Sequence, residues 1–429
     1  MSSLNLCKSR KIKTLPAILI LAAAPLFLMG QTNQITSKQY QEDFIFFWKT
    51  IHEEYCYFNK KQTDWQKIKE IYESSIDSVS SWEQLVAILE KALYEIYDHH
   101  AILNTNNNSS YRLVPSGTDV WAEYINGKPI ITEVRKGFGA ESAGIIAGME
   151  IVAVNDIYIE AAIKPLLPKS LKLVDTEAKN FVLRLLLAGN HVQKRKFTLK
   201  YQGRLNDYYP DKNGLLLENI NHSSLIESRF IGNTGYIKIN DCVYNTELIS
   251  EFDSVMRTMQ KTMSLILDLR ETPSGGNTTV ARAILGWFIN KEHFYQKHEY
   301  YAEENNSGVK RSWEEIVSPR KGKYYGKPLV ILCDHWTASL GEAITIGFDA
   351  LQRPGTKIIG TPMARLNGAV YTYEMPNSKI RFSFPAERLY HINALPREEY
   401  IPQILINPAT SVSKPTSDIF ISKALLFLK

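Results

Sequence analysis

The chain has 429 residues, of which 44% are hydrophobic and 22% are charged, so two or three domains with sizeable cores are expected. Its formal net charge of +5 falls to +1 without the first 30 residues, which hold four basic and no acidic side chains. The composition therefore excludes a disordered chain and gives no indication of nucleic-acid binding.

The N-terminus has the form of a secretory signal. Basic residues between positions 8 and 13 precede Leu15–Met29, an apolar run that is short for a membrane span of about 20 residues. We expect residues 1–30 to be removed near Gln31 and the protein to be exported to the bacterial periplasm, the cell envelope or the medium. An uncleaved segment that anchors the chain in the membrane is the alternative.

Residues 31–110 are predicted to form an N-terminal helical domain. The clearest helix covers Trp82–Tyr97, with Leu85, Leu89 and Leu93 on one face. It opens at Ser80-Ser81, with Glu83 placed as a capping partner. The polar stretch Asn104–Ser110 marks the end of this domain.

Two further domains are predicted after it. Residues 111–205 contain Gly139–Asn155, where a small-residue helix start and a glycine turn lead into an apolar strand. Residues 203–221 are rich in Asn, Asp and Gly and are typical of a linker. Residues 206–429 alternate strand and helix patterns, which predicts a parallel or mixed sheet flanked by helices.

The first of two strand–turn–helix units in the last domain starts with a buried strand at Ser264–Leu269. Gly275-Gly276 and a helical run over 278–289 follow it. A Gly-Gly pair allows a sharp turn and can direct backbone N–H groups at an anion. Glycines also close many strand–helix connections that bind nothing.

The second unit has a strand at Pro328–Cys333 and a helix from Leu340, with Ser339 at the turn between them. A helix N-terminus favours negative charge, so it suits a nucleophilic serine and the oxyanion that its attack generates. The amides of Gly275 or Gly276 and of Leu340 could form the oxyanion hole. Alternatively, Ser339 and Glu342 form a Ser-x-x-Glu capping box, which needs no chemistry.

The order and spacing of three motifs resemble the C-terminal-processing (tail-specific) and tricorn-like serine peptidases. The motifs are Gly139–Asn155, which is similar to part of a PDZ domain, Asp268-Leu269-Arg270…Gly275-Gly276, and Thr337-Ala338-Ser339…Glu342. The resemblance implies an α/β fold: a crotonase/ClpP-like β/α catalytic core, with an N-terminal helical part and a small PDZ-like β-rich domain. It also implies serine-type peptidase activity on protein or peptide substrates, without a cofactor.

The resemblance also suggests which residue is the base. Tail-specific members use a lysine in a Gly-Lys-Gly segment, but the matching stretch Gly360–Gly368 has no lysine, and the guanidinium of Arg365 cannot accept a proton. Tricorn-like members use a histidine in an Asp-x-His segment, which implies that His100 in Asp98-His99-His100 is the base, with an ordinary pKa near about 6.5.

Two alternatives for the Asp98-His99-His100 segment stay open. Both histidines could be polar residues at the end of a helix, where a protonated ring is favourable. They could also bind a metal, although adjacent histidines on a helix point in different directions and no further His/Asp cluster supports a site. No metal is therefore predicted.

The third family residue is a glutamate near a Pro-Asp segment, which orients the histidine or contacts the substrate. Glu398 is the first choice and Glu399 the second, although Gln403 replaces the aspartate and the gap before Pro402 is shorter. Two solvated carboxylates in a loop are the alternative.

The sequence thus predicts an exported serine endopeptidase with Ser339, His100 and Glu398. The alternative is a catalytically inactive protein on the same fold, which binds peptides or other ligands. A crotonase-type acyl-CoA enzyme would share the fold, but an exported chain has little access to acyl-CoA.

Overall fold

The computed structural model describes residues 35–212, 224–411 and 418–429 of the chain. The predicted secretory signal, residues 1–30, and much of the predicted linker lie outside the described residues. None of the helices described is long and apolar enough to cross a membrane.

The N-terminal part is helical, as predicted, because three amphipathic segments pack their apolar faces together. The third helix begins at the cap Ser81 and ends at Tyr94 rather than Tyr97. The reciprocal contact to Ser80 comes from Gln84, whose side chain accepts the Ser80 N–H at 2.9 Å. The prediction that Glu83 is the capping partner was therefore wrong by one residue. The helices are α1 (Ser37–Glu54), α2 (Lys67–Asp77) and α3 (Trp82–Tyr94).

A β-rich unit follows, with an antiparallel sheet in the order β2-β3-β4-β6-β7, to which β5 is added beside β4. Its last strand spans the predicted domain boundary at residue 205 and continues the sheet. The strands are β2 (Val120–Ile125), β3 (Lys128–Val134), β4 (Glu150–Val154), β5 (Ile157–Tyr158), β6 (Phe197–Tyr201) and β7 (Arg204–Tyr208), and the helices are α4 (Gly139–Ser142), α5 (Ile159–Ile163) and α6 (Thr176–Ala188). The comparison of this unit with a PDZ domain stays a prediction.

The outer edge of β2 is covered by α6. The Tyr124 N–H donates to Asn180 Oδ1 at 2.7 Å, and Arg184 Nε donates to the Ala122 carbonyl at 3.3 Å. Ala122 and Tyr124 are two positions apart, so their backbone groups point to the same side of the strand. A peptide could add to this edge as a further strand only by replacing both hydrogen bonds.

The core sheet has the order β17-β14-β13-β10-β9-β8 and is parallel except for β8, which confirms the predicted mixed sheet. Its strands are β8 (Ile226–Ile231), β9 (Thr234–Asn240), β10 (Ser264–Glu271), β13 (Leu329–Cys333), β14 (Thr356–Gly360) and β17 (Ile404–Leu405). The associated helices are α7 (Glu247–Met259), α8 (Thr278–Leu285, which ends four residues before the predicted limit), α10 (Leu340–Ala350) and α11 (Ile419–Phe427).

A second, antiparallel sheet joins the helical part to the core. Strand β1 pairs with β16 through Ile102 and Leu103, so the segment that follows His100 is fixed to the core. The elements of this layer are β1 (Ile102–Leu103), β11 (His293–Tyr300), α9 (Tyr301–Ser307), β12 (Arg311–Val317), β15 (Ala369–Glu374) and β16 (Arg381–Tyr390).

The two predicted strand–turn–helix units are neighbours in the core sheet. Strands β10 and β13 are parallel and adjacent, with Asp268 opposite Leu332, so their carboxyl ends lie at the same edge. Beyond these ends, Ala338 N–H donates to the Thr272 carbonyl at 3.1 Å. The turns that carry Gly275-Gly276 and Ser339 are therefore held side by side, at the edge where open α/β sheets bind ligands.

Candidate active site

Ser339 occupies a strained turn between β13 and α10. Its φ of +49° and ψ of −108° are unusual for a residue with a side chain and persist only when surrounding contacts hold them. A serine on such a strand-to-helix turn has its hydroxyl presented at the end of the sheet, and Ser339 is half-buried here. Its N–H donates to Glu342 Oε2 at 2.8 Å, which forms the glutamate half of the predicted capping box.

The glycine turn lies directly against the start of α10. A Cβ atom on Gly276 would lie 2.3 Å from Leu340 Cδ2, so only glycine fits there, whereas a Cβ on Gly275 would meet nothing within 4 Å. Ser274 N–H and Oγ–H both donate to Asp241, at 3.0 and 2.9 Å, and fix the turn. The predicted oxyanion-hole residues are thus brought together.

The backbone amides of these residues are available for a ligand. Those of Gly275, Gly276 and Leu340 make no hydrogen bond within the part of the chain that the structure describes. Free N–H groups beside a nucleophile are the feature that an oxyanion hole requires. Their role as an oxyanion hole stays a prediction.

His100 lies beyond the end of α3, so it is not a helix-terminal residue. Its Nδ1 is 2.5 Å from the Asn367 carbonyl oxygen, which can only accept a hydrogen bond. We therefore assign the proton to Nδ1, which leaves the lone pair on Nε2. Such a tautomer is suited to accept a proton from a serine.

The pKa of His100 is lowered to about 4, chiefly by burial of the ring and next by the charge of Arg397. The carbonyls of Asn367 and Gly368 and the charge of Asp98 act in the opposite direction. A pKa of roughly 6–7 was expected before any perturbation by the site, and burial moves this ring below that range. It is neutral, and able to act as a base, at all pH values well above about 4.

Residues 364–368, here called the β14–β15 loop, connect His100 to the segment that carries Ser339. Ala364 N–H donates to the Thr337 carbonyl at 3.1 Å. Asn367 accepts from His100 through its carbonyl and donates from Nδ2 to Asp98 Oδ2 at 2.8 Å. This loop belongs to Gly360–Gly368, the stretch that matches the lysine-containing segment of the tail-specific peptidases. Here it provides a backbone carbonyl to His100 in place of a lysine side chain.

Asp98 is the carboxylate that organises the surroundings of His100. Oδ1 accepts the backbone N–H of His100 at 2.9 Å, and Oδ2 accepts from Tyr55 Oη at 2.8 Å as well as from Asn367. From the sequence, Asp98 was considered only as part of the Asp98-His99-His100 segment, and no role was predicted for it. The Asp-x-His spacing is the signal that could have identified it.

Lys60 holds Glu398 and Glu399, and neither carboxylate forms a hydrogen bond or ion pair with His100 within the described residues. Lys60 Nζ lies 2.8 Å from Glu398 Oε1 and 2.7 Å from Glu399 Oε1. Glu398 is buried and its Oε2 has no hydrogen-bond partner in the described part, whereas Glu399 is exposed. The role of Glu398, or less favourably Glu399, as the third member stays a prediction.

Arg397 is the residue that sequence reasoning missed. It is 2% exposed and donates from Nη1 to the Ser339 carbonyl at 3.3 Å. Nη2 donates to the carbonyls of Leu366 and Gly368 at 3.0 and 2.7 Å. The family pattern predicts a role for the neighbouring Glu398, but nothing in the local sequence indicates that Arg397 is buried.

Ser339 and His100 are thus both tied to the β14–β15 loop, although no hydrogen bond joins the Ser339 hydroxyl to the imidazole in the described structure. Catalytic hydrogen bonds are often long in ligand-free enzymes and shorten when substrate binds. His99 is separate from this arrangement: its ring packs on Phe181 at 4.5 Å, and burial lowers its pKa.

Two cavities lie near this region, although neither is lined by Ser339 or His100. One, of about 630 Å³, is bordered by Leu103, Tyr111, Arg135 and Asp241, and so reaches the aspartate that fixes the glycine turn. The other, of about 360 Å³, is bordered by His99, Asn367, Arg365 and Glu398. No group of His, Cys, Asp or Glu residues among those described could hold a metal ion.

Two segments of the chain match known models of serine peptidases. Residues 233–399 match the model of peptidase family S41, and residues 36–93 match the Tricorn protease C1 domain. Over these two segments, the matches confirm the predicted resemblance to the tail-specific and tricorn-like serine peptidases. The first match contains Ser339 and the glycine turn, and His100 lies between the two matched segments.

Solved structures share the fold at low sequence identity. Mature CPAF in complex with lactacystin has a TM-score of 0.56 and 14% identity, over 86% of this chain and 93% of that one. A candidate peptidase from Parabacteroides merdae ATCC 43184 has a TM-score of 0.57 and 14% identity, over 91% and 97%. The photosystem II D1 C-terminal processing protease has a TM-score of 0.53 and 16% identity, over 87% and 94%. No curated protein matches the chain.

Proposed function

We propose that the protein is an exported serine endopeptidase that hydrolyses peptide bonds in proteins or peptides of the cell envelope or the medium. The observation that carries this proposal is the hydrogen bond from His100 Nδ1 to the Asn367 carbonyl. It leaves the lone pair on Nε2 and fixes the ring to a loop that is itself bonded to the Ser339 segment.

The reaction follows the usual serine-peptidase course. Ser339 Oγ attacks the scissile carbonyl while His100 Nε2 takes the hydroxyl proton. The amides of Leu340 and of Gly275 or Gly276 stabilise the oxyanion. His100 then protonates the leaving amine, and a water molecule, deprotonated by His100, hydrolyses the acyl-enzyme and restores Ser339.

Glu398 is assigned the other role that the family glutamate has, which is contact with the substrate. It borders the 360 Å³ cavity next to Asn367, and Lys60 rather than His100 holds its Oε1. Asp98, through the backbone of His100 and the side chain of Asn367, supplies the orienting carboxylate. The 630 Å³ cavity, which is bordered by the aspartate that fixes the glycine turn, offers room for an extended peptide.

Labelling with a fluorophosphonate probe tests the activated nucleophile whatever the substrate is. The wild type should label at one site and Ser339→Ala should not label. Ser264→Ala is a matched control, because this buried serine lies at the opposite end of strand β10 and its hydroxyl bonds only Thr234 among the described residues.

A catalytically inactive binding protein is the second candidate, favoured by the lack of a direct hydrogen bond between Ser339 and His100 in the described structure. It would bind unfolded casein stoichiometrically, fail to label and release no peptides. Labelling of Ser339 together with casein hydrolysis would rule it out.

A further inference from the structure

The peptide groups of Ser339 are held on both sides by two buried side chains. Glu342 Oε2 accepts the Ser339 N–H at 2.8 Å, and Arg397 Nη1 donates to the Ser339 carbonyl at 3.3 Å. Both side chains are almost completely buried, and Arg397 Nη2 lies 3.8 Å from Glu342 Oε2. The strained backbone of Ser339 therefore depends on this pair.

The same two side chains hold the β14–β15 loop. Glu342 Oε1 accepts the Arg365 N–H at 2.9 Å, while Arg397 Nη2 donates to the carbonyls of Leu366 and Gly368. The carbonyl of Asn367, between those two residues in sequence, receives the His100 Nδ1–H. One ion pair thus touches the backbone on each side of the nucleophile and on each side of the residue that holds the base.

We propose that Glu342 and Arg397 form a positioning clamp, which sets the location of Ser339 relative to His100. The inference rests on the proposed serine-peptidase function. In the described structure neither side chain forms a hydrogen bond to the Ser339 hydroxyl or to the His100 ring, so both are positioning residues. The planar fork of a guanidinium can direct separate N–H groups at three carbonyls, whereas a lysine ammonium acts as a compact point charge.

Besides donating hydrogen bonds, Arg397 lowers the pKa values of two titratable groups, His100 and Glu342, through its positive charge. His100 faces Asp98 from its own segment, Arg397 from the 3₁₀ turn at Arg397–Glu399, and the carbonyls of Asn367 and Gly368 from the loop. Removing the positive charge should raise the pKa of His100.

Glu342 faces Arg397, the N–H groups of Ser339 and Arg365, and the more distant charge of Glu398. Burial raises the pKa of Glu342 to about 7, and Arg397 opposes that rise. Loss of Arg397 should therefore raise the pKa of this carboxyl as well.

The test compares Arg397→Met and Arg397→Lys by fluorophosphonate labelling rate and by kcat and KM on a quenched peptide substrate, each measured against pH. Arg397→Met should lower kcat and the labelling rate about 100-fold, the scale of a small misplacement of catalytic groups. Its acid limb should move to higher pH. Arg397→Lys should lose rate but keep the wild-type acid limb, because the charge remains.

Arg353→Met is the matched control. Arg353 also donates to backbone carbonyls, those of Tyr325 and Lys327, but at the amino end of β13, away from Ser339. It should change the melting temperature without changing the pH profile or kcat. If Arg397→Met does not fold, Arg397→Lys and Glu342→Gln carry the test through the same measurements.

Three outcomes would overturn the clamp. One is a folded Arg397→Met with wild-type kcat, the second is Arg397→Lys with wild-type kcat, and the third is a rate loss in Arg397→Met with an unmoved acid limb. A wild-type protein that neither labels nor cleaves would instead contradict the proposed peptidase function, so the two failures are distinguishable.

Discussion

At the scale of single residues, two ionisable groups near Ser339 have pKa values shifted in opposite directions by the same burial. Burial disfavours the charged form, so it lowers the pKa of the His100 imidazole to about 4 and raises that of the Glu342 carboxyl to about 7. At neutral pH the His100 ring is therefore neutral, while Glu342 is near its pKa. The pH dependence near neutrality should therefore report Glu342 rather than the base.

The first prediction is that kcat/KM falls as the pH decreases through about 7. A protonated Glu342 has no charge beside Arg397 and accepts the hydrogen bonds from the Ser339 and Arg365 N–H groups less strongly. A further loss is expected near pH 4, where His100 takes a proton and can no longer accept one from Ser339. Glu342→Gln should be slower but should lack the limb near pH 7. A wild-type profile that is flat from pH 8 to pH 5 would contradict the prediction.

A second prediction concerns the nucleophile. Ser339→Ala should abolish casein hydrolysis while lowering the free energy of unfolding by at most about 2 kcal/mol, the upper range for a lost helix cap. Chemical denaturation and a fluorescent casein assay measure both quantities. Activity that survives the substitution would remove Ser339 from the mechanism, and loss of activity through unfolding alone would leave only its capping role.

The third prediction separates the two adjacent histidines. His100→Ala should reduce kcat by several orders of magnitude, as the loss of one member of a catalytic unit does. His99→Ala should cost far less in kcat, because its ring packs on Phe181 and makes no hydrogen bond to the β14–β15 loop in the described structure. Its melting temperature should fall. Near-wild-type turnover in His100→Ala would mean that another group takes the serine proton.

At the scale of elements, strands and helix starts were predictable where the local pattern decides them. The apolar runs of β10 and β13 and the start of α10 at Leu340 are found as expected. The end of α3 was not, because the chain turns at residues 95–98 to bring Asp98 to Tyr55 and Asn367, contacts far away in sequence.

In the candidate site, too, the features set by local motifs were predictable and those set by distant contacts were not. Ser339 and the glycine turn belong to local motifs and could be located, whereas Arg397 acts only because segments 31, 29 and 58 residues away in sequence meet around it. A pattern of neighbours along the chain contains no information on that burial. The position of the β14–β15 loop was anticipated, but its chemistry was not.

The fourth prediction uses the two glycines as a matched pair. Gly276→Ala forces a Cβ atom to 2.3 Å from Leu340 and should displace the helix start, with a loss of stability of about 1–3 kcal/mol and a large fall in kcat. Gly275→Ala adds the same atom where nothing lies within 4 Å and should retain the fold and most of the activity. Equal effects of the two substitutions on kcat would argue against the packing of the turn on Leu340.

At the scale of the whole molecule, the candidate site is assembled from all three regions. His100 follows the helical part, Ser339 belongs to the core, and the β-rich unit contacts the segment that leads to Ser339. His335 Nδ1 lies 2.5 Å from Glu133 Oε2, and Trp336 Nε1 donates to the Thr118 carbonyl at 2.8 Å. An isolated core would lack both His100 and this support, so activity should require the helical part and the β-rich unit as well as the core.

The last prediction concerns the fate of that chain in the cell. Residues 1–30 contain a basic start and a short apolar run, so a signal peptidase should release a protein that begins near Gln31. N-terminal sequencing after cell fractionation should find this form in the envelope or the medium, and labelling with fluorophosphonate should follow the same fraction.

Replacing the four basic residues at positions 8–13 by glutamine should slow export, because the basic start is part of the signal. The matched control removes the same charge from four exposed lysines of the mature chain and should leave export unchanged: Lys49, Lys67, Lys128 and Lys379. An intact Met1 terminus in a soluble cytosolic fraction would contradict export while leaving the peptidase proposal untouched.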